Sequence, residues 1–186
     1  MFIQTEATPN PATLKFIPGK PVVHGDPVEY RAAAEAGNSP LAQRLFAISG
    51  VSGVFLGGDF ITVTKADGEW QHLKPAILGV IMEHYISGQP LIAGDGGDQE
   101  NGDEFFDEAD TEVVDTIKEL IETRVRPAVA QDGGDITFQG FREGVVFLQM
   151  RGACAGCPSS TATLKHGIEN LLRHFVPEVV EVRPVA

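Results

Sequence analysis

Long apolar runs are missing from this chain. Every apolar stretch is broken by Gly, Pro or a charge well before the ~18 residues needed to span a bilayer, so a membrane partner is not expected. The start, Met1-Phe2-Ile3-Gln4-Thr5-Glu6, lacks the basic n-region and apolar h-region of a secretory signal. It also lacks the Arg-rich, acid-poor character of an organellar transit peptide. The expected compartment is the cytoplasm, or the mitochondrial matrix if this is a processed, mature form. Positive charge is scarce as well, with 14 Lys and Arg against 26 Asp and Glu and a net charge of -12. No basic footprint for a phosphate backbone is present, which excludes nucleic acid as an expected partner. Cysteine is scarcest of all. Two among 186 residues make no disulfide framework, and a close pair in a reducing compartment points to metal or redox chemistry.

The acidity is concentrated. Asp95, Asp98, Glu100, Asp103, Glu104, Asp107, Glu108 and Asp110 fall in one stretch without Lys or Arg. These are 8 of the 26 acids, leaving 18 against 14 bases elsewhere. From Gly88-Gln89-Pro90 through Asn101-Gly102-Asp103, turn formers and like charges replace apolar periodicity, which reads as a self-repelling linker. It is not a calcium loop. A pattern begun at Asp98 puts Gly102 one place early, and one begun at Asp95 puts Glu100 where Gly is required. The expected organisation is two small domains, 1–90 and 109–186, joined by an acidic flexible linker, 91–108.

Before the linker, Phe2–Ala7 and Thr13–Ile17 read as strands joined by Thr8-Pro9-Asn10-Pro11. Ser39-Pro40 opens a helix, with Ser as N-cap and Pro at the first helical position. Val51–Leu56 and Phe60–Thr64 form a hairpin. Leu73, Ile77, Val80, Ile81 and His84 mark a second helix, with Pro75 disfavouring helix at Lys74. After the linker, Asp110-Thr111 caps a helix carrying Val113, Val114, Ile117, Leu120, Ile121 and Val125, with Pro127 just beyond its end. Gln131–Asp135 is a turn. Ile136–Phe141 and Val145–Met150 form a hairpin about Arg142-Glu143-Gly144. Leu164, Ile168, Leu171, Leu172 and Phe175 stripe a final helix, and Val179–Val182 makes a last strand. The fold class is α+β throughout: an antiparallel sheet with two helices, then an α-β-β-α-β domain.

Chemistry concentrates in Gly152-Ala153-Cys154-Ala155-Gly156-Cys157-Pro158-Ser159-Ser160, between a strand and a helix. Pro158 at the first helical position makes Cys157 the N-cap. Free backbone N–H groups and the helix dipole then favour its thiolate, the metal-binding form. Gly152 and Gly156 let the backbone approach a bulky inorganic ligand. A lone CxxC admits structural zinc, thiol–disulfide exchange and iron–sulfur binding at roughly equal odds. Two buried core cysteines are a fourth reading, disfavoured because Gly, Pro and Ser describe an exposed turn.

A closed zinc site and a cubane cluster each want about four protein ligands, and this chain supplies two thiols. His24, His72 and His84 belong to the other domain. His166 and His174 are eight residues apart on one helix, about 12 Å along its axis, so both cannot serve one site. Two copies sharing the metal on a two-fold axis supply four thiolates. Thiol–disulfide exchange ranks below metal binding but stays open. The 29 residues after Cys157 are too few to complete a thioredoxin-like sheet, and an antiparallel hairpin precedes the pair.

Residues about 110–184 resemble the NifU C-terminal-like (Nfu-type) iron–sulfur domain. The likeness runs through the helix ending Arg126-Pro127, the Asp132-Gly133-Gly134-Asp135 turn, the Gly152–Ser160 segment, Leu164-Lys165 and Ile168-Glu169. Residues about 1–90 resemble the Nfu N-terminal domain, through Thr5-Glu6-Ala7-Thr8-Pro9-Asn10-Pro11, Leu14-Lys15-Phe16, Ser39-Pro40-Leu41-Ala42 and Leu73-Lys74-Pro75-Ala76-Ile77. The resemblance implies a cluster scaffold or carrier rather than an enzyme. It implies a [4Fe-4S] cluster, with [2Fe-2S] as the alternative, held between two subunits by Cys154 and Cys157. It also implies upstream cluster donors and delivery to apo iron–sulfur client proteins. The expected mechanism is a cluster-assembled homodimer, with the N-terminal domain serving as a recognition module.

Overall fold

The structure, a computed structural model, describes residues 2–93, 104–155 and 158–185, with backbone alone for 158–161. It divides into two compact units, Met1–Gly97 and Asp98–Ala186, and the chain is α+β in both.

In the first unit, β1 (Gln4–Ala7) and β2 (Thr13–Ile17) pair antiparallel from Gln4↔Ile17 to Ala7↔Leu14. Their connection is tied by side chains, as Asn10 Oδ1 accepts from Ala12 N–H and Thr8 Oγ1 from Asn10 N–H. The strands β3 (Val28–Tyr30), β4 (Val51–Leu56) and β5 (Ile61–Lys65) complete a five-stranded antiparallel sheet of order β1-β2-β5-β4-β3. Helix α1 (Pro40–Phe46) starts where Ser39 Oγ accepts from Ala42 N–H at 3.1 Å. The same hydroxyl donates to Leu91 O at 2.6 Å, so one serine caps a helix and ties down residue 91. Helix α2 (Trp70–Ser87) runs through Pro75. Its first turn closes on Glu69 O from both His72 and Leu73 N–H. Pro75 lies on the exposed face, while Leu73, Ile77 and Ile81 seat the helix on the sheet. Burial of that face outweighs the proline, which does not set the helix start.

His84, on the buried side of α2, is wholly inaccessible, and neither ring nitrogen makes a hydrogen bond of normal geometry among the described residues. Burial lowers its pKa below the ordinary 6.5, the Arg44 charge adds to this, and the Gln89 main chain offsets part of it. The folded chain therefore keeps His84 neutral where the unfolded chain has begun to bind a proton. Stability is lost as pH falls below about 6.5, by at most about 1.4 kcal/mol per pH unit. Thermal melts of the full chain at pH 7.5 and 5.5 should show this loss, and His84→Leu should remove most of it. An unchanged pH dependence in the variant would assign the loss elsewhere.

In the second unit a 3-10 turn, Glu108–Asp110, leads into α3 (Thr111–Leu120). Asp110 holds the N-cap position but makes no side-chain cap bond, and Thr111 Oγ1 donates backward to Glu108 O at 2.7 Å. The expected Asp110-Thr111 cap is thus replaced by the 3-10 turn. The helix also does not end before Pro127. A π-helical turn, Ile121–Val125, connects α3 to α4 (Arg126–Gln131), with Arg126 N–H bonding back to Ile121 O. Pro127 has no N–H and its ring crowds the carbonyl four residues earlier. The wider π turn accommodates both defects, and Ile121, Val125 and Val129 stay buried across it.

Strands β6 (Gly134–Arg142) and β7 (Val145–Gly152) form a hairpin. Both turn residues have positive φ, Glu143 at 51° and Gly144 at 80°, as a tight two-residue turn requires. Helix α5 (Pro158–Phe175) follows, and β8 (Glu181–Val185) pairs parallel to β7, giving the order β6-β7-β8. Ile136, Phe138, Val146, Leu148 and Val182 meet Val114, Ile117 and Val129 from α3 and α4, and Ile168 and Leu172 from α5. A bulge at Gln139 brings Phe141 back to this core after Phe138.

Residues assigned above to the linker are structured at both ends. Leu91 and Ile92 pack on the first unit's core, and Phe105 bridges to Gly140 of β6 in the second unit.

Candidate metal centre

Strand β7 ends at Gly152, whose φ of 67° turns the chain. Ala153 N–H then donates to Gly133 O at 3.2 Å, fastening the loop to the segment that leads into β6. Cys154 comes next. It is 6% exposed and belongs to the core shared with Met150 and Ile136. An exposed turn was expected here, so this is a correction. The loop folds inward, and Cys154 packs as a small hydrophobe. Its thiol is pushed up to about 12, by burial first and then by the charges of Asp132 and Asp135. Gly156, Cys157 and the side chains of Ser159, Ser160 and Thr161 lie outside the described residues, so the expected N-cap role of Cys157 stands where the sequence left it. Helix α5 does begin at Pro158.

The Asp132-Gly133-Gly134-Asp135 segment has a definite task at this loop. Only Asp132 and Gly133 form the turn, and the strand already starts at Gly134. Gly133 adopts φ 80°. At Gly134 the constraint is different. A Cβ there would stand 2.6 Å from Cys154 Sγ and 2.8 Å from Arg151 O, so glycine leaves room for the sulfur against the β6 backbone. Gly134→Ala should lower the stability of the second unit by about 1–3 kcal/mol. It should also speed alkylation of Cys154 in a Cys157→Ser background, read by mass spectrometry. Unchanged alkylation would deny Gly134 this role.

Next to Cys154 sits an ion pair that the sequence reading missed. Arg126 Nε and Nη2 reach Asp135 Oδ1 and Oδ2 at 2.9 and 3.1 Å, and Nη1 reaches Glu122 at 2.7 Å. Asp135 is 4% exposed. Burial opposes the guanidinium charge, but the hydrogen bonds and charges of Asp135 and Glu122 outweigh it and raise the Arg126 pKa. No motif spacing connects residues 126 and 135. The one clue was a charged residue beside two glycines ahead of an apolar strand.

Among the described residues the histidines join no metal-ligating group. His166 lines a shallow groove with Lys165, Glu169, Arg173 and Glu181, where Lys165 pairs with Glu181 and Arg173 with Glu169. Among the described residues, no three His, Cys, Asp or Glu side chains are grouped to hold a metal ion.

These features define a class: two-unit α+β proteins with a cysteine loop between a strand and a helix, backed by a Gly-Gly segment. Two family models match the chain, "Scaffold protein Nfu/NifU N terminal" over residues 3–88 and "NifU-like domain" over 117–183. The human protein named "NFU1 iron-sulfur cluster scaffold homolog, mitochondrial" is 50% identical over the whole chain, which spans 72% of that relative. "NifU-like protein 5, mitochondrial" of Arabidopsis thaliana is 53% identical over 96% of the chain, which spans 66% of that relative. A solved NifU-like protein from Saccharomyces cerevisiae aligns with 51% of this chain and 87% of its own, at 27% identity and a TM-score of 0.46. The sequence matches carry the assignment without it. The chain belongs to the Nfu/NifU-like scaffold family.

Proposed function

We propose that this chain is an iron–sulfur cluster scaffold or carrier that holds a [4Fe-4S] cluster between two copies and delivers it to apo-proteins. The cluster is cargo, and no catalytic role is assigned. Cys154 and Cys157 of each copy are the proposed ligands, four thiolates in all. The observation that carries this reading is the placement of Cys154 in a strand–loop–helix segment inside the NifU-like match. Thiolate donors suit iron and sulfide chemistry. The buried position of Cys154 adds a requirement. Its thiol, raised to about 12, must lose its proton and meet the metal, so loading moves the loop or brings iron in along it.

With two thiols per chain, metal-binding free energy becomes association free energy, and the cluster assembles the dimer. Release can proceed one ligand at a time, a recipient thiolate replacing each in turn. The first unit then serves as a recognition module for donors or clients. The compartment follows the reading: cytoplasm, or mitochondrial matrix for a processed chain, as the names of the relatives suggest.

Anaerobic reconstitution with iron and sulfide, followed by metal analysis and native mass measurement, tests the reading. It predicts about four irons per two chains and dimerisation only with the cluster. One zinc per dimer without sulfide would replace it with a zinc site. A monomer cycling a Cys154–Cys157 disulfide would replace it with redox exchange.

A further inference from the structure

Side chains of α5 reach the outer edge of β8. Among the described residues the second sheet ends at β8, in the order β6-β7-β8. The register with β7 runs from Val145↔Glu181 to Gln149↔Val185, and Glu181 N–H points inward, to Gly144 O at 3.3 Å. Main-chain groups alternate in direction along a strand, so positions 182 and 184 turn theirs outward. Neither offers a donor there. Val182 N–H donates to Glu169 Oε2 at 3.3 Å, and Pro184 has no N–H. Just before the strand, Val180 O accepts from Arg173 Nη2. Glu169 and Arg173 stand one turn apart on α5 and pair with each other at 3.3 Å. One ion pair thus occupies a donor and an acceptor beside this edge, and a proline removes the next donor.

Stability alone does not call for this arrangement. The Arg173 side chain is 48% exposed, and an i,i+4 pair on a helix contributes only about 0.3–0.5 kcal/mol. Pro184 is exposed and supplies no ladder bond. What the three residues do share is the edge. A strand edge with open donors and acceptors recruits another chain, and short length, proline and a covering helix each discourage it. β8 has all three: five residues, Pro184, and the α5 side chains. Val180, 58% exposed beside the edge, would add apolar contact to any strand that joined. The partner always at hand is another copy of the same strand, which can pair with itself about a two-fold axis. A sheet joined in that way would hold two copies together with or without a cluster.

We propose that Glu169, Arg173 and Pro184 form a built-in stop that keeps a second copy from adding its β8 to this one, so that copies associate through the cluster and part when it leaves. The consequence for a carrier rests on the function proposed above, whereas the stop itself does not.

The test uses the full cluster-free chain in three forms: unsubstituted, Pro184→Val, and Pro184→Val combined with Glu169→Ala and Arg173→Ala. Sedimentation over a concentration series gives the self-association constant of each. The triple variant should associate at least about a hundredfold more tightly than the unsubstituted chain, and Pro184→Val about tenfold more tightly. In the triple variant the Val182 amide should exchange more slowly as concentration rises. A triple variant that stays as monomeric as the unsubstituted chain overturns the proposal. Should it fold poorly, Pro184→Val, a change at an exposed position, decides, and no gain there overturns the proposal. Equal association of all three forms, through some other face, also overturns it. Iron retention after reconstitution is measured separately on the unsubstituted chain. Its loss would remove the cluster reading and leave the result at the β8 edge standing.

Discussion

Replacing Cys154 with serine should take the iron retained after anaerobic reconstitution from about two atoms per chain to background. A serine hydroxyl is a hard, weakly acidic donor and would not replace a thiolate as an iron ligand. Cys157→Ser should lose iron to the same extent. The two variants should differ in stability. Cys154 is 6% exposed within the core, so its replacement buries a hydroxyl at a cost of about 1–2 kcal/mol. Iron and sulfide assays beside thermal melts separate the two effects. Iron retained at the unsubstituted level by the Cys154→Ser chain would remove Cys154 from the ligand set.

The second large effect is expected at Arg126. Arg126→Leu withdraws two hydrogen bonds and a full charge from Asp135, which is 4% exposed. Breaking a buried pair from one side costs roughly 3 kcal/mol, and for a unit of this size the midpoint should drop by roughly 10 °C. Adding Asp135→Leu should recover about half of that loss, since the stranded carboxylate goes with it. A double variant no more stable than Arg126→Leu would mean that the guanidinium acts through its Glu122 contact or its packing.

The sequence exposed those features whose cause is local. Ser39-Pro40 marked a helix start because a cap needs only three residues of backbone. The α-β-β-α-β order followed from apolar periodicities that change between elements. β3 went unread because it is three residues long and is held by pairing with β4, a partner that local pattern does not reveal. Pro127 was read as a helix end by a sound rule. The rule failed because a π turn lies just ahead of it, and tertiary burial of Val129 rewards continuing the helix. The loop composition predicted an exposed Cys154. Only the space over Gly134 makes its burial possible, and Gly134 lies eighteen residues or more before the loop in sequence. Phe105 was hidden for the same reason, since its glycine partner is on another strand.

The parallel pairing of β7 with β8 also shapes how the second unit is made. The β6–β7 hairpin closes over two residues and can form within about 1–10 μs. β8 joins only after the cysteine loop and all of α5 have been traversed, Val145 meeting Glu181 and Gln149 meeting Val185. Such a non-local closure is the slow part of a small α/β topology. On a chain being synthesised from its N-terminus, both cysteines precede the strand that completes their sheet. The residues of β8, added after the loop, therefore govern when the loop becomes native, and a chain cut at 180 should leave a hairpin and a helix without a finished site.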